Sequence, residues 1–164
     1  MNGEYIRQKS VPELIELAKP FLMNFWQISN FEFLISKILK LEQPRLKKLS
    51  ELPEKIDFFF KIPEYDVSLL RWKNMDDKEV KDSLELAKKL LQTITEENFT
   101  KENLEKIFLD KIGEGDKGKL LWPLRAALSG KKASPGPFEI MEVLGKNETL
   151  NRLEGVLTRI SQAM

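Results

Sequence analysis

The chain has 164 residues, 41% of them hydrophobic and 32% charged, with a formal net charge of +1. It contains neither cysteine nor histidine, which excludes disulfides, thiolate chemistry, histidine general bases, histidine-containing triads and histidine metal sites. No apolar run is long enough to span a bilayer and no signal peptide opens the chain, so a cytoplasmic protein of one domain, or two small ones, is expected.

The chain reads as helical throughout. Ser10 and Glu13 form a capping box with Pro12 near the first helical position. Leu14, Ile15, Leu17, Ala18, Phe21 and Leu22 then recur at helical spacing, with Pro20 placed to kink or shorten the helix. Asn30 is expected to cap a second helix carrying Phe33, Leu34, Ile38 and Leu41, interrupted at Pro44. Ser50 and Pro53 start a short helix that ends in Phe58, Phe59 and Phe60. Lys61-Ile62-Pro63 punctuates the chain and sets a boundary between two tandem helical subdomains, 1–61 and 62–164.

In the second subdomain a long helix is expected from Asp76 and Asp77, with Val80, Leu84, Leu86, Ala87, Leu90, Leu91 and Ile94 on its apolar stripe. Thr100 caps the next helix, which carries Leu104, Ile107, Phe108 and Ile112 and stops at Gly113. A helix over Trp122 to Leu128 follows, then a turn from Ser129 to Pro137. A short helix from Phe138 to Leu144 is stopped by Gly145, and Asn147 opens the last helix, with Leu150, Leu153, Val156, Leu157 and Ile160 on one face. Alternating strand patterns are absent, and the fold class expected is all-α.

Covalent chemistry finds little support. Gly113, Gly115 and Gly118 match the dinucleotide spacing literally, but they follow a predicted helix and lack the strand–turn–helix context that the mechanism needs. The carboxylate pairs Asp76-Asp77 and Glu96-Glu97 fall at predicted helix starts, where capping explains them. Zinc and calcium spacings are missing, so no metal is expected.

Binding has better candidates. From Lys117 to Lys132 the chain carries five Lys/Arg and no acid, immediately after an acidic stretch. Arg125 lies on the rim of the stripe formed by Leu120, Leu121, Leu124, Ala127 and Leu128, so its stem can pack while its guanidinium reaches outward. That group can make two parallel hydrogen bonds to a base edge or a phosphate, or a structural ion pair. The turn that follows contains Lys131 and Lys132 as a basic support, then Ser134, Pro135, Gly136 and Pro137. Its Gly/Pro content fixes an irregular backbone of the kind that reads splayed-out nucleotides, or simply connects two helices. Arg45, Lys47 and Lys48 form a third basic group.

Several ordered motifs together resemble bacterial glutamyl-tRNA synthetases, class I aminoacyl-tRNA synthetases, in their C-terminal anticodon-binding region. They are Asn2-Gly3-Glu4-Tyr5-Ile6-Arg7, the block from Pro44 to Phe60, Trp122-Pro123-Leu124-Arg125-Ala126-Ala127-Leu128-Ser129-Gly130, and Leu144-Gly145-Lys146 with Arg152-Leu153. The resemblance implies an all-helical, two-part anticodon-binding module, monomeric, whose partner is the anticodon stem-loop of tRNA(Glu), with neither DNA nor membrane as a partner. It implies that Arg125 contacts an anticodon base, that Ser134, Pro135 and Pro137 line the turn against neighbouring bases, and that one of Arg45, Lys47 or Lys48 reads the last base. The complete enzyme joins glutamate to tRNA with ATP and Mg. This chain, lacking the catalytic part, is expected to be a C-terminal fragment with no cofactor and no activity alone. Ser134 stands where some members carry Thr, and Pro137 where some carry an aliphatic residue. The competing expectation is a helical protein–protein interaction module without an RNA role.

Overall fold

A computed structural model describes residues 2–164. Every regular element among them is helical. The chain divides into two compact units, Met1–Lys61 and Ile62–Met164.

The first unit contains α1 (Gly3–Arg7), α2 (Val11–Ala18), α3 (Phe31–Glu42) and α4 (Leu52–Ile56), linked by short 3-10 turns. The Ser10–Glu13 capping box forms as the sequence predicts. Pro20 ends α2 by drawing Lys19–Phe21 into a 3-10 turn, which leaves Phe21 exposed while Leu14, Ala18 and Leu22 are buried. Asn30 precedes α3 but makes no side-chain cap, because its backbone (φ −112, ψ 13) is not extended. The buried face of α3 is Phe31, Leu34, Ile35, Ile38, Leu39 and Glu42. Phe33 falls between the rows of this stripe and is 70% exposed, with the Lys37 ammonium 4.8 Å from its ring. The core is closed by Phe58 and Phe59, and the Phe31 ring lies 5.4 Å from that of Phe60.

The second unit contains α5 (Asp77–Gln92), α6 (Lys101–Ile112), α7 (Lys117–Ser129), α8 (Pro137–Leu144) and α9 (Lys146–Ala163). Asp76 and Glu79 cap α5 reciprocally, and the Thr100 hydroxyl accepts the Asn103 N–H at the start of α6. α5 packs against α7 and α9, α6 against α8, and α7 against α8 and α9. Several boundaries differ from expectation: α7 ends at Ser129 and α8 opens at Pro137, each one residue beyond the expected helix. α9 opens at Lys146, one residue early. α7 begins at Lys117, five residues before Trp122, because the Asp116 carboxylate caps Gly118 N–H at 2.9 Å while also accepting the Trp72 indole N–H at 3.1 Å. Pro123 therefore lies inside α7 and is buried there. Among the described residues no helix is long and apolar enough to cross a membrane.

Candidate nucleic-acid interface

In the second unit the site is built at the carboxyl end of α7. The helix stops at Gly130, which takes a left-handed conformation (φ 64) and donates its N–H to Ala126 O at 2.7 Å. A side chain there would meet Pro63 and Tyr65 at 2.8–2.9 Å, so glycine is required for both backbone and space. Ser129, fully buried, accepts the Lys131 N–H at 3.2 Å and starts the turn. At the far end Pro137 opens α8 in the position where its missing N–H costs nothing, and the Glu139 carboxylate accepts Gly136 N–H at 3.3 Å.

Arg125 organises what lies between. Its Nη1 donates to Ser134 Oγ at 2.7 Å and to Lys131 O at 3.3 Å, and its Nη2 donates to Lys132 O at 2.8 Å. The guanidinium also lies 4.6 Å above the Trp122 ring, whose indole N–H is fixed on Leu69 O at 2.9 Å. The Ser134 hydroxyl in turn donates a hydrogen bond to Pro135 O at 2.9 Å. A planar fork with several fixed donors can hold three acceptors on an irregular loop at once; an ammonium cannot match that geometry.

The predicted turn residues thus separate into two sets. Pro135 and Pro137 are buried and act as structural walls. Ser134 is half-buried and bonded to Arg125, while Lys132 is exposed and Lys131 half-buried. Beside the turn lies an open cleft of about 510 Å³ bounded by Tyr65, Leu69, Arg71, Trp122, Gly130 and Lys132. Burial pushes the Tyr65 hydroxyl up to about 12, against a weaker opposing pull from the nearby Arg159 guanidinium. Arg159 donates to Tyr65 O at 2.6 Å and lies 4.7 Å over its ring. Tyr65 is one of the few aromatics the sequence offers for stacking on a base, whereas Leu69 and Arg71 were not predicted. They reach the turn across more than 50 residues, and only the Lys61-Ile62-Pro63 punctuation hinted at an irregular segment there.

In the first unit Arg45 ends the Gln43–Arg45 turn, with Nε 3.7 Å from the buried Glu42 carboxylate. The side chains of Lys47 and Lys48 are exposed, and Lys47 N–H donates to the Glu51 carboxylate at 3.2 Å. Arg45, Lys47 and Lys48 thus lie on one short exposed segment. Arg125, Ser134, Pro135 and Pro137 are brought together in the other unit. Among the described residues no group of three or more acidic side chains could hold a metal ion.

A sequence model of the family described as "Anticodon binding domain" matches residues 13–157. The chain belongs to this anticodon binding domain family. Its curated relatives include the glutamate–tRNA ligases of Clostridium tetani (strain Massachusetts / E88), 40% identical, and of Clostridium botulinum (strain Eklund 17B / Type B), 41% identical. Each alignment covers 94% of this chain and 32% of the relative, so the chain spans about a third of the length of the curated relatives it matches. Two solved structures share the fold. A glutamate tRNA ligase from Elizabethkingia meningosepticum, in complex with its amino acid, has a TM-score of 0.78 at 22% identity, over 97% of this chain and 31% of that one. The glutamate-tRNA synthetase of Elizabethkingia anophelis has a TM-score of 0.71 at 24% identity, over 96% of this chain and 30% of that one.

Proposed function

We propose that this chain recognises the anticodon loop of tRNA(Glu) and serves as the anticodon-binding part of a longer glutamate–tRNA ligase. The observation that carries the reading is the Arg125 clamp. Three guanidinium bonds and a stacked indole hold a short basic turn rigid beside an open, partly aromatic cleft. Single-stranded loop bases are recognised on surfaces of this kind, through fixed polar groups and stacking. A rigid turn loses little entropy on binding, so its contacts translate more fully into discrimination.

The clamp also refines the role of Arg125. In the free protein its donors are engaged with the turn, so it shapes the surface that Ser134, Lys131 and Lys132 present. The Arg45, Lys47 and Lys48 group supplies a second contact, to the last anticodon base. Glutamate, ATP and Mg belong to the remaining two thirds of the ligase, because this chain offers no phosphate loop and no histidine to bind and activate a nucleotide.

The test is fluorescence anisotropy with anticodon stem-loop RNAs at fixed salt. The glutamate anticodon should bind more tightly than loops altered at one base, by about 1–3 kcal/mol per lost contact. Arg125→Ala should remove this preference with little change in helical circular dichroism. Equal affinity for native and altered loops would overturn the reading, leaving a helical module for protein partners. The chain alone should show no glutamate-dependent ATP–pyrophosphate exchange.

A further inference from the structure

The amino-terminal helix α1 carries a cation that neither the family match, which begins at residue 13, nor the basic group at 45–48 includes. α1 is fixed against that group from two sides. The Gln43 side-chain amide donates to Ile6 O at 2.9 Å and to Lys9 O at 2.7 Å, binding the carboxyl end of α1 to the turn that leads into Arg45. At the other end Gly3 lies so close to the chain that a Cβ there would stand 2.7 Å from Leu46 O and 3.3 Å from Lys47 Cα. The same point is 3.1 Å from Arg7 Nη1. Gly3 is thus flanked by the Arg7 guanidinium and by the Leu46–Lys47 backbone, and Arg7 stands on a helix pinned beside the predicted base reader.

Among the described residues Arg7 has neither an ion pair nor a hydrogen bond to its guanidinium, and the Lys47 and Lys48 ammonium groups have no acidic partner. Other cations close by are engaged. Lys9 lies 4.3 Å over the Tyr5 ring, and Arg45 faces Glu42. Arg7 is exposed, and three exposed cations without a close ion pair on neighbouring stretches of chain raise the local positive potential, which favours an anion there. The Gln43 bonds fix the backbone of α1 beside this segment, so the three cations stay on neighbouring stretches of chain.

We infer that Arg7 is a phosphate-binding residue, taking an RNA backbone phosphate next to the nucleotide contacted by the Arg45–Lys48 segment. This rests on the anticodon reading for the identity of the RNA, but the contact itself requires only a phosphodiester. A guanidinium suits that role because its fork meets two phosphate oxygens together. Such a contact positions the RNA and carries no sequence information.

The experiment measures binding of anticodon stem-loops to the whole chain from about 50 to about 200 mM salt. Arg7→Gln should weaken native and base-altered loops by the same factor, about three- to tenfold, and should lower the slope of log affinity against log salt by about one. Arg7→Lys should keep the slope and recover part of the affinity. Lys106→Gln, on the exposed face of α6, serves as the control with unchanged slope. Circular dichroism confirms that each variant is folded. An unchanged slope in Arg7→Gln overturns the assignment, whether or not affinity falls, because a packing role does not alter ion release. Weakening confined to one anticodon base also overturns it. If the wild-type chain binds loops with no regard to the anticodon while Arg7→Gln still lowers the slope, the anticodon reading fails and the phosphate contact stands.

Discussion

Arg125 and Tyr65 show how single residues define this surface in opposite ways. Arg125 acts by satisfying acceptors that a Gly/Pro-rich turn leaves open, since Lys131 O and Lys132 O belong to no helix. Tyr65 acts through its ring, which packs beside Gly130 and under Arg159, while its hydroxyl is buried with no hydrogen-bond partner among the described residues. A buried hydroxyl without a partner stabilises nothing, so Tyr65→Phe should leave stability at neutral pH unchanged or slightly raised. The alkaline limb separates the two proteins. The folded-state pKa of about 12 stands above the unfolded value of about 10. The associated stability is fully present below pH 10 and is lost as pH rises towards 12, when the unfolded chain releases a proton that the folded chain retains. Urea melts should show wild type losing about 2–3 kcal/mol more than Tyr65→Phe across that window. Parallel curves for the two would mean that Tyr65 is solvated in the folded chain.

At the scale of the element, α7 is fixed at both ends by contacts that include residues distant in sequence. Asp116 and Trp72 hold its start. Its end is held by Arg152 of α9, only 7% exposed, whose Nη1 donates to Leu128 O at 2.8 Å and whose Nε pairs with Glu148 at 2.9 Å. A buried cation at a helix carboxyl terminus satisfies an orphan carbonyl and complements the helix dipole. Lys146 does the same for α5, donating to Ile94 O at 2.7 Å just beyond its last turn. These two contacts give a physical reason for the Leu144-Gly145-Lys146 and Arg152-Leu153 motifs. Arg152→Met keeps most of the volume but strands the Leu128 carbonyl, so it should lower stability by about 2–4 kcal/mol in urea melts. A loss below about 1 kcal/mol would show that water reaches that carbonyl.

The same contacts mark what the sequence could and could not reveal about elements. Ser10, Asp76 and Thr100 were legible as caps because each is followed by residues of strong helical periodicity. Asn2 and Asp116 cap helices too, but glycine follows closely in both, and Gly118 with Pro123 concealed the first turns of α7. Phe33 stood among the apolar residues expected on the second helix, whereas the packed stripe passes one position away and leaves it exposed. Within the site, the place of Arg125 on the stripe's rim followed from a helical wheel. Its acceptors did not, since they depend on dihedral angles of a turn that no periodicity encodes. Arg7 was beyond reach for another reason: Gln43 joins α1 to its neighbour across 37 residues.

At the scale of the whole chain, the all-α class was legible because apolar positions recur at helical spacing in nearly every segment. The two compact units carry a thermodynamic consequence. Residues 62–164 bury a core of their own, including Val80, Leu84, Leu104, Phe108, Leu124, Leu128, Ile140 and Ile160. Their helices are capped by contacts inside the same unit. Residues 1–61 also have a core, built on Ile38, Leu39, Leu52 and Phe58, but a domain of about 60 residues buries too small a fraction of its surface to be more than marginally stable. A chain cut between Lys61 and Ile62 should therefore yield unequal halves. The 62–164 piece should fold alone, with helical circular dichroism and a single cooperative urea transition, while the 1–61 piece should melt at lower urea or remain partly unfolded. The 62–164 piece should also retain the Arg125 clamp, visible as slow exchange of its guanidinium protons by NMR, since Lys131, Lys132 and Ser134 lie within the piece. An unfolded 62–164 piece would show that its core needs residues before Ile62 to form.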